Sequence, residues 1–271
     1  MGCSKISPGC DRCYAINQAY RNWEMAKALP EDRRGRLAYY EGLTKQIGGN
    51  TNWTGKLVFV PEALEIPLKR KKPQTYFVNS MSDMFHERVG NDWLAQIFQV
   101  MKDTPQHTYQ ILTKRPDRML DWMRGRSPLP NVWLGVTVEN QKAADNRIPL
   151  LLKTPAAIRW LSVEPLLEKV TLTFSNYVDN WNDKNDPGCA DIDWVVVGGE
   201  SGAGARECRV EWIESVVSQC QSAKVPVFVK QLGANAIAPD GSRLKLGDRK
   251  GGNIEEFPAN LQIRQFPGVN Q

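Results

Sequence analysis

Three cysteines stand within the first thirteen residues of the chain, at Cys3, Cys10 and Cys13, in the spacing C-x6-C-x2-C. Pro8 and Gly9 lie between the first two and favour a loop that folds back, so that the three sulfurs can face one centre. Thiolates are ligands of zinc and of iron-sulfur clusters. The spacing therefore predicts a metal-binding loop.

No other cysteine or histidine stands near this loop in the sequence; His86 is the next candidate ligand. A structural zinc site normally has four protein ligands, so three thiolates favour an iron-sulfur cluster with one iron open to a small molecule. A zinc site completed by a remote residue, and a disulfide with a spare thiol, are the alternatives.

The loop resembles the cluster loop of radical S-adenosylmethionine (SAM) enzymes. In that family three cysteines hold a [4Fe-4S] cluster, and the fourth iron binds the methionine part of SAM. The ending Cys13-Tyr14-Ala15 resembles the loop of the spore photoproduct lyase group. This chain has six residues between its first two cysteines, more than the three of the commonest spacing, and Arg12 where an aromatic residue is usual. The resemblance implies two cofactors, a [4Fe-4S] cluster on the three cysteines and SAM.

Most of the remaining chain resembles a phage and prophage family of poorly characterised proteins that open with the same loop. The matching stretches are FVNSMSDMFH (77–86), ILTKRP (111–116), VWLGVTVEN (132–140), SVEP (162–165) and VGGESG (197–202). This resemblance implies a radical-SAM-like protein of a phage setting.

Composition excludes several classes of protein. Hydrophobic residues make up 41% of the chain, enough for a core, and the net charge of +5 suits a phosphate-bearing partner. Six cysteines, three of them in one loop, do not resemble a secreted disulfide framework. No apolar run approaches the roughly 18 residues that cross a bilayer. We expect a cytoplasmic protein without membrane contact, in the host cytoplasm if a phage encodes it.

Short apolar, β-branched runs alternate with amphipathic stretches, which predicts a parallel sheet buried on both faces by helices. The predicted strands are 57–61, 76–80, 108–113, 132–138, 157–163, 194–198 and 227–230. The predicted helices are 14–29, 31–47, 92–102, 116–124, 141–152 and 210–223. The fold class is therefore α/β, a complete or partial (β/α) TIM-like barrel with an N-terminal cluster loop and an irregular C-terminal extension.

We expect a single domain over 1–271, with the cluster loop at 1–15, the barrel core at 55–233 and the extension at 234–271. Residues 261–266 are predicted to form a strand that caps the barrel, and 166–191 a polar insertion. A radical-SAM barrel carries its cluster loop after the first strand, whereas only Met1 and Gly2 precede Cys3. Either that strand is absent or the gene begins upstream.

Reactive groups of parallel barrels gather at the carboxyl ends of the strands. Given the SAM resemblance, we assign Lys114 or Arg115 to the carboxylate of SAM and Glu139 to its ribose. Asn79, Ser80 and Asp83 are assigned to the amino group of SAM or its surroundings, and Thr113 is a further candidate for cofactor binding. The residues assigned to catalysis or substrate are Ser162, Glu164, Glu200, Arg206, Cys208 and Lys230.

Three further features each allow two interpretations. The glycine-rich stretch 198–204 is a turn that could also hold a phosphate. Cys208 is either a buried inert thiol or, as in the photoproduct lyase group, a hydrogen-atom donor. The basic run 69–72 is either a solvated surface or a peripheral DNA contact. Cys189 and Cys220 are expected to be structural or incidental.

The resemblance implies that SAM is cleaved to a 5′-deoxyadenosyl radical, with an electron donor such as flavodoxin or ferredoxin. The expected substrate is a nucleobase, for example a modified thymine in phage DNA or a nucleotide. Two alternatives remain: a non-catalytic zinc- or cluster-bearing nucleic-acid-binding protein, and a metal-free barrel hydrolase that uses Glu164, Glu200 and His86.

Overall fold

The computed structural model describes residues 1–175 and 191–268. The strands are β1 (Thr44–Ile47), β2 (Asn50–Trp53), β3 (Thr75–Val78), β4 (Thr108–Thr113), β5 (Val132–Thr137), β6 (Ile158–Val163), β7 (Trp194–Gly198), β8 (Cys208–Arg209), β9 (Val227–Gln231) and β10 (Ala236–Ile237). The helices are α1 (Tyr14–Lys27), α2 (Glu65–Lys69), α3 (Asn91–Asp103), α4 (Pro116–Met123), α5 (Gln141–Leu152) and α6 (Val210–Ser222). Within these ranges no helix has the length and apolar character needed to span a bilayer. Cys189 and most of the predicted insertion 166–191 lie outside the described residues.

Six strands form one parallel sheet in the order β3-β4-β5-β6-β7-β9. Helices α3, α4, α5 and α6 connect successive strands, and because such crossovers share one hand, the helices cover one face and the sheet curls into a half-barrel. The predicted α/β class is confirmed, and the curled sheet is compatible with a partial barrel. The bounds predicted for β4, β7 and α5 agree with the structure to the residue.

The two faces of the sheet differ in character. The convex face packs on the helices through fully buried aliphatic side chains such as Ile111, Leu134 and Leu161. The concave face carries a cluster of aromatic side chains: Trp133, Trp160, Trp194 and Phe228. Both faces are apolar, which is why the strands read as continuous hydrophobic runs.

The first of the seven predicted strands, 57–61, is wrong. The backbone N–H of Val58 donates to Met1 O at 2.9 Å, and Pro61 begins a 3-10 turn, so this segment forms no ladder with β3. Gly2 instead makes a parallel bridge to Ser82, just beyond β3. A cavity of about 370 Å³ lies between this segment, β3 and α3.

The predicted helix 31–47 is also wrong. Two 3-10 turns, Glu31–Arg33 and Gly35–Tyr40, are followed by the β1-β2 hairpin. Gly35 has a φ of 50°, outside the right-handed helical region. Gly48 and Gly49 both have positive φ, as a two-residue hairpin turn with right-handed strand twist requires, so they connect two strands and do not end a helix.

The C-terminal extension covers the edge strand β9. Val229 N donates to Ile263 O at 2.9 Å, and Gln265 N donates to Val227 O at 3.0 Å. The segment predicted as a capping strand therefore runs antiparallel to β9, as a short bridge and not as a full strand. Pairing this edge removes exposed backbone groups that invite aggregation.

Gly135 offers a test of the aromatic face. A Cβ atom at this position would lie 2.5 Å from the Trp160 indole, so Gly135→Ala must displace a buried ring. We expect a loss of about 1–3 kcal/mol in the free energy of unfolding, measured by urea denaturation. Thr75→Ala, at an exposed position of β3, is the control and should change it by less than about 0.5 kcal/mol. Equal stability of the two variants would contradict this packing.

Candidate metal centre

The three cysteines line one pocket of about 160 Å³ at the carboxyl ends of β3, β4 and β5. The loop that carries them folds through backbone hydrogen bonds from Cys10 N to Ser7 O at 2.8 Å and from Cys13 N to Cys10 O at 3.3 Å. Cys13 is the residue before the first turn of α1. The structure thus brings together the thiols that the sequence singles out, at the edge of the sheet where reactive groups are expected.

Burial shapes the chemistry of these thiols. It raises the pKa of Cys3 to about 11, with the charge of Asp83 adding to the effect and that of Arg115 opposing it. Burial also raises the pKa of Cys13. Because the thiolate is the ligand form, a metal that binds here must displace thiol protons.

A buried ion pair lies behind Cys3. The Arg115 guanidinium donates to Asp83 Oδ2 at 2.9 Å and to Glu87 Oε2 at 2.9 Å, and its Nη1 is 4.0 Å from Cys3 Sγ. Asp83 also accepts hydrogen bonds from Thr113 Oγ1 at 2.7 Å and from the backbone. These contacts occupy three of the residues assigned to SAM, so Arg115, Asp83 and Thr113 support the loop in this structure.

Lys114 differs from its neighbour Arg115. It lines the pocket, and its charge helps to lower the pKa of Glu139 and partly opposes the rise that burial causes in the pKa of Cys13. Among the described residues, no carboxylate lies within 4.0 Å of its ammonium group. Of the two cations predicted for the SAM carboxylate, Lys114 is the available one. Asn79 and Ser80 line the same pocket.

Glu139 lies beneath the loop. It is fully buried and accepts a hydrogen bond from Arg147 Nη1 at 2.7 Å. Burial acts to raise its pKa, but the charges of Arg147 and Lys114 outweigh burial and the net pKa is lowered. A Cβ atom at Gly9 would lie 3.1 Å from the Glu139 carboxyl carbon, so the loop packs directly on this carboxylate. Glu139 therefore supports the loop and does not face the open pocket.

A third pair holds the loop from the opposite side. Arg206 donates to Glu200 Oε2 at 3.0 Å and to Pro8 O at 2.8 Å. Burial acts to raise the pKa of Glu200, and the hydrogen bonds and charge of Arg206 lower it overall. Both residues were assigned to substrate or SAM, and the structure places them against the cysteine loop.

The remaining substrate candidates divide into two groups. Lys230 Nζ donates to Glu164 Oε2 at 2.8 Å, and the Glu164 charge contributes, after burial and Cys13, to raising the pKa of Tyr14. The charge of Glu164 is therefore close enough to act on Tyr14, the residue after Cys13. Ser162 and Cys208 are instead buried, and the pKa of Cys208 is raised to about 12 by burial.

The sequence analysis did not identify several residues of the site. Arg147 lies on α5, whose start is fixed by Asn140 accepting a hydrogen bond from Ala143 N at 2.9 Å. The spacing of Glu139 and Arg147 along that helix could have indicated that the two residues pair. Ser4 and Tyr14, beside Cys3 and Cys13, also line the pocket. The basic run 69–72, by contrast, is exposed at the amino end of β3, away from this site.

In the described ranges, no three side chains of His, Cys, Asp or Glu form a group that could hold one metal ion. The three thiols share a pocket without forming the compact arrangement of a mononuclear site. A four-iron cluster differs in this respect, because each cysteine binds a different iron.

The fold and the site define an α/β protein with a curled parallel sheet and a three-cysteine loop over the carboxyl ends of its strands. The chain belongs to the family described as "Protein of unknown function (DUF5131)", which matches residues 1–258. No curated protein and no solved structure matches the chain.

The Glu139–Arg147 pair predicts a measurable cost on mutation. Arg147→Met leaves a fully buried carboxylate unpaired, which should lower the free energy of unfolding at pH 7 by about 3–5 kcal/mol. Because the pKa of folded Glu139 lies below its ordinary value of 4.5, the pair stabilises fully above that pH and loses its effect as the pH falls further. Urea denaturation from pH 7 to well below pH 4 measures both effects, because the loss is complete only below the pKa of folded Glu139.

The matched control is Arg124→Met, which breaks an exposed ion pair with Asp121. Its cost should stay below about 1 kcal/mol. If Arg147→Met costs no more than Arg124→Met, the buried pair does not support the fold.

The cysteines should separate by reactivity. Cys208 and Cys220 are buried, and burial raises the pKa of each to about 12, so few thiolates form at pH 8. Iodoacetamide should modify Cys10 of the native apoprotein first and the half-buried Cys3 and Cys13 more slowly, and should reach Cys208 and Cys220 only after unfolding, as measured by peptide mass spectrometry. Labelling of Cys208 or Cys220 at the rate of Cys10 in the native protein would contradict the packing.

Proposed function

We propose that the protein is a radical SAM enzyme that holds a [4Fe-4S] cluster on Cys3, Cys10 and Cys13. The observation that carries the proposal is the shared pocket: three thiols and the uncommitted cation Lys114 line it together, at the carboxyl edge of a curled parallel sheet. We further propose that this half-barrel is a partial TIM-like barrel, with which such a site is compatible.

The donor set fits a four-iron cluster. Three thiolates leave one iron without a protein ligand, where a small molecule can bind. When bound and reduced, the cluster would supply the electron that cleaves SAM to methionine and a 5′-deoxyadenosyl radical.

The chain's own residues bind and orient the second ligand. Lys114 is assigned to the carboxylate of SAM, because Arg115 is committed to Asp83 and Glu87. Asn79 and Ser80 keep their assignment to the amino group, since both line the pocket. Ribose recognition does not fall to Glu139, which lies beneath the loop.

The proposed substrate is a nucleobase in DNA or a nucleotide, taken up from the cytoplasm. Support comes from the resemblance of the loop to photoproduct lyases. Glu164 and Lys230, which form an ion pair, keep their assignment as polar contacts for it. A flavodoxin- or ferredoxin-type donor would reduce the cluster.

Anaerobic iron-sulfide reconstitution tests the cluster. The wild type should give a brown protein with a reducible [4Fe-4S] EPR signal that SAM perturbs, and should form 5′-deoxyadenosine when reduced. The variant Cys3→Ala/Cys10→Ala/Cys13→Ala should bind no cluster. A colourless wild type that binds one zinc would overturn the proposal and favour the non-catalytic nucleic-acid-binding alternative.

Lys114→Met tests the SAM site separately. It should retain the cluster, and its affinity for SAM should fall about tenfold or more, because a charge-assisted hydrogen bond is lost. Equilibrium binding of SAM to the reconstituted protein measures this, with the exposed Lys153→Met as control. Unchanged affinity in Lys114→Met would show that another residue binds the carboxylate of SAM.

A further inference from the structure

Ser4 and Arg115 form a hydrogen-bonded unit beside Cys3. Arg115 Nη2 donates to Ser4 Oγ at 2.8 Å, and Ser4 Oγ lies 2.8 Å from His86 Nε2. Both Ser4 and Arg115 line the cysteine pocket, whereas His86 is buried behind it.

The direction of these hydrogen bonds follows from His86. Its Nδ1 accepts from the backbone N–H of Arg88 at 3.1 Å, so a neutral ring carries its proton on Nε2. Nε2–H then donates to Ser4 Oγ. With donors from both His86 and Arg115, the Ser4 oxygen has its two acceptor positions filled, and the hydroxyl hydrogen remains free to donate.

The charges beside Cys3 oppose each other. Arg115 Nη1 lies 4.0 Å from Cys3 Sγ and 2.9 Å from Asp83 Oδ2. Arg115 and Asp83 are both more than nine-tenths buried, so solvent screens them weakly. A positive charge beside a ligand sulfur favours the reduced, more negative state of a cluster, and a carboxylate disfavours it. The Ser4 hydroxyl contributes by holding the Arg115 guanidinium in this position.

We propose that Ser4 and Arg115 are positioning residues that set the reduction potential of the cluster from the Cys3 side, with Asp83 as the opposing charge. This inference rests on the proposed cluster. Under this inference the Arg115–Asp83 pair both holds the loop and tunes the potential of the cluster, and Arg115 does not bind SAM.

The test is a dye-mediated redox titration of the reconstituted protein, followed by EPR. Arg115→Gln and Ser4→Ala should each lower the midpoint potential, and Arg115→Lys should lie nearer the wild type. For Arg115→Gln we expect about a tenfold change in the equilibrium between oxidised and reduced cluster, about 59 mV for one electron. Asp83→Asn should raise the potential, a reversal of sign that general loosening of the loop would not produce.

Arg118→Gln is the matched control. Arg118 lies one turn further along α4 and contacts Val89 and Asn91, away from the loop, so its variant should keep the wild-type potential. If Arg115→Gln or Asp83→Asn fails to fold, Ser4→Ala still tests the inference, because it removes only one small, half-buried hydroxyl.

The inference would be overturned, and the proposed cluster kept, if the midpoint potentials of Ser4→Ala and Arg115→Gln equalled that of Arg118→Gln. A shift of the same sign in Asp83→Asn and Arg115→Gln would overturn it as well. A wild-type chain that takes up no iron is a different result, because it overturns the proposed function itself.

Discussion

Three buried or half-buried ion pairs hold the cysteine loop on the sheet, and the geometry of the site depends on them. The loop has little regular structure of its own, so its position must come from contacts with the strand ends. Asp83–Arg115 supports it near Cys3, Glu139–Arg147 from below, and Glu200–Arg206 at Pro8. Each carboxylate follows a different strand, β3, β5 or β7, so the curl of the sheet sets the distances between the supports.

Ion pairs of this kind contribute more to specificity than to stability. Burial costs each charge several kcal/mol in lost hydration, which the partner and its hydrogen bonds offset only when the geometry is good. Asp83 illustrates the requirement, because it accepts from Arg115, Thr113 and two backbone N–H groups. An apolar contact could fill the same space, but it would tolerate many positions of the loop. The charged pairs hold the loop in a single position.

The parts of the fold that depend on local sequence could be predicted. Strand β7 is continuously apolar and helix α5 begins after the capping residue Asn140, and the bounds of both agree with the prediction. The β1-β2 hairpin was missed because Gly48-Gly49 is compatible with both a helix end and a turn, and the backbone φ that decides is invisible in sequence. The edge of the sheet that carries the site followed from strand order alone. The pairing of Glu139 with Arg147 did not, because a carboxylate at a strand end can bind a ligand or support a loop.

Burial separates the charged residues that are free to bind from those that are not. Breaking the Glu139–Arg147 or Asp83–Arg115 pair leaves a buried charge at a cost of about 3–5 kcal/mol, more than a single hydrogen bond to a ligand returns. The Glu164–Lys230 pair is different, since the Lys230 side chain is 51% exposed and water can replace either partner. Glu164, Lys230 and the uncommitted Lys114 can therefore exchange their contacts for a ligand, while the buried pairs cannot.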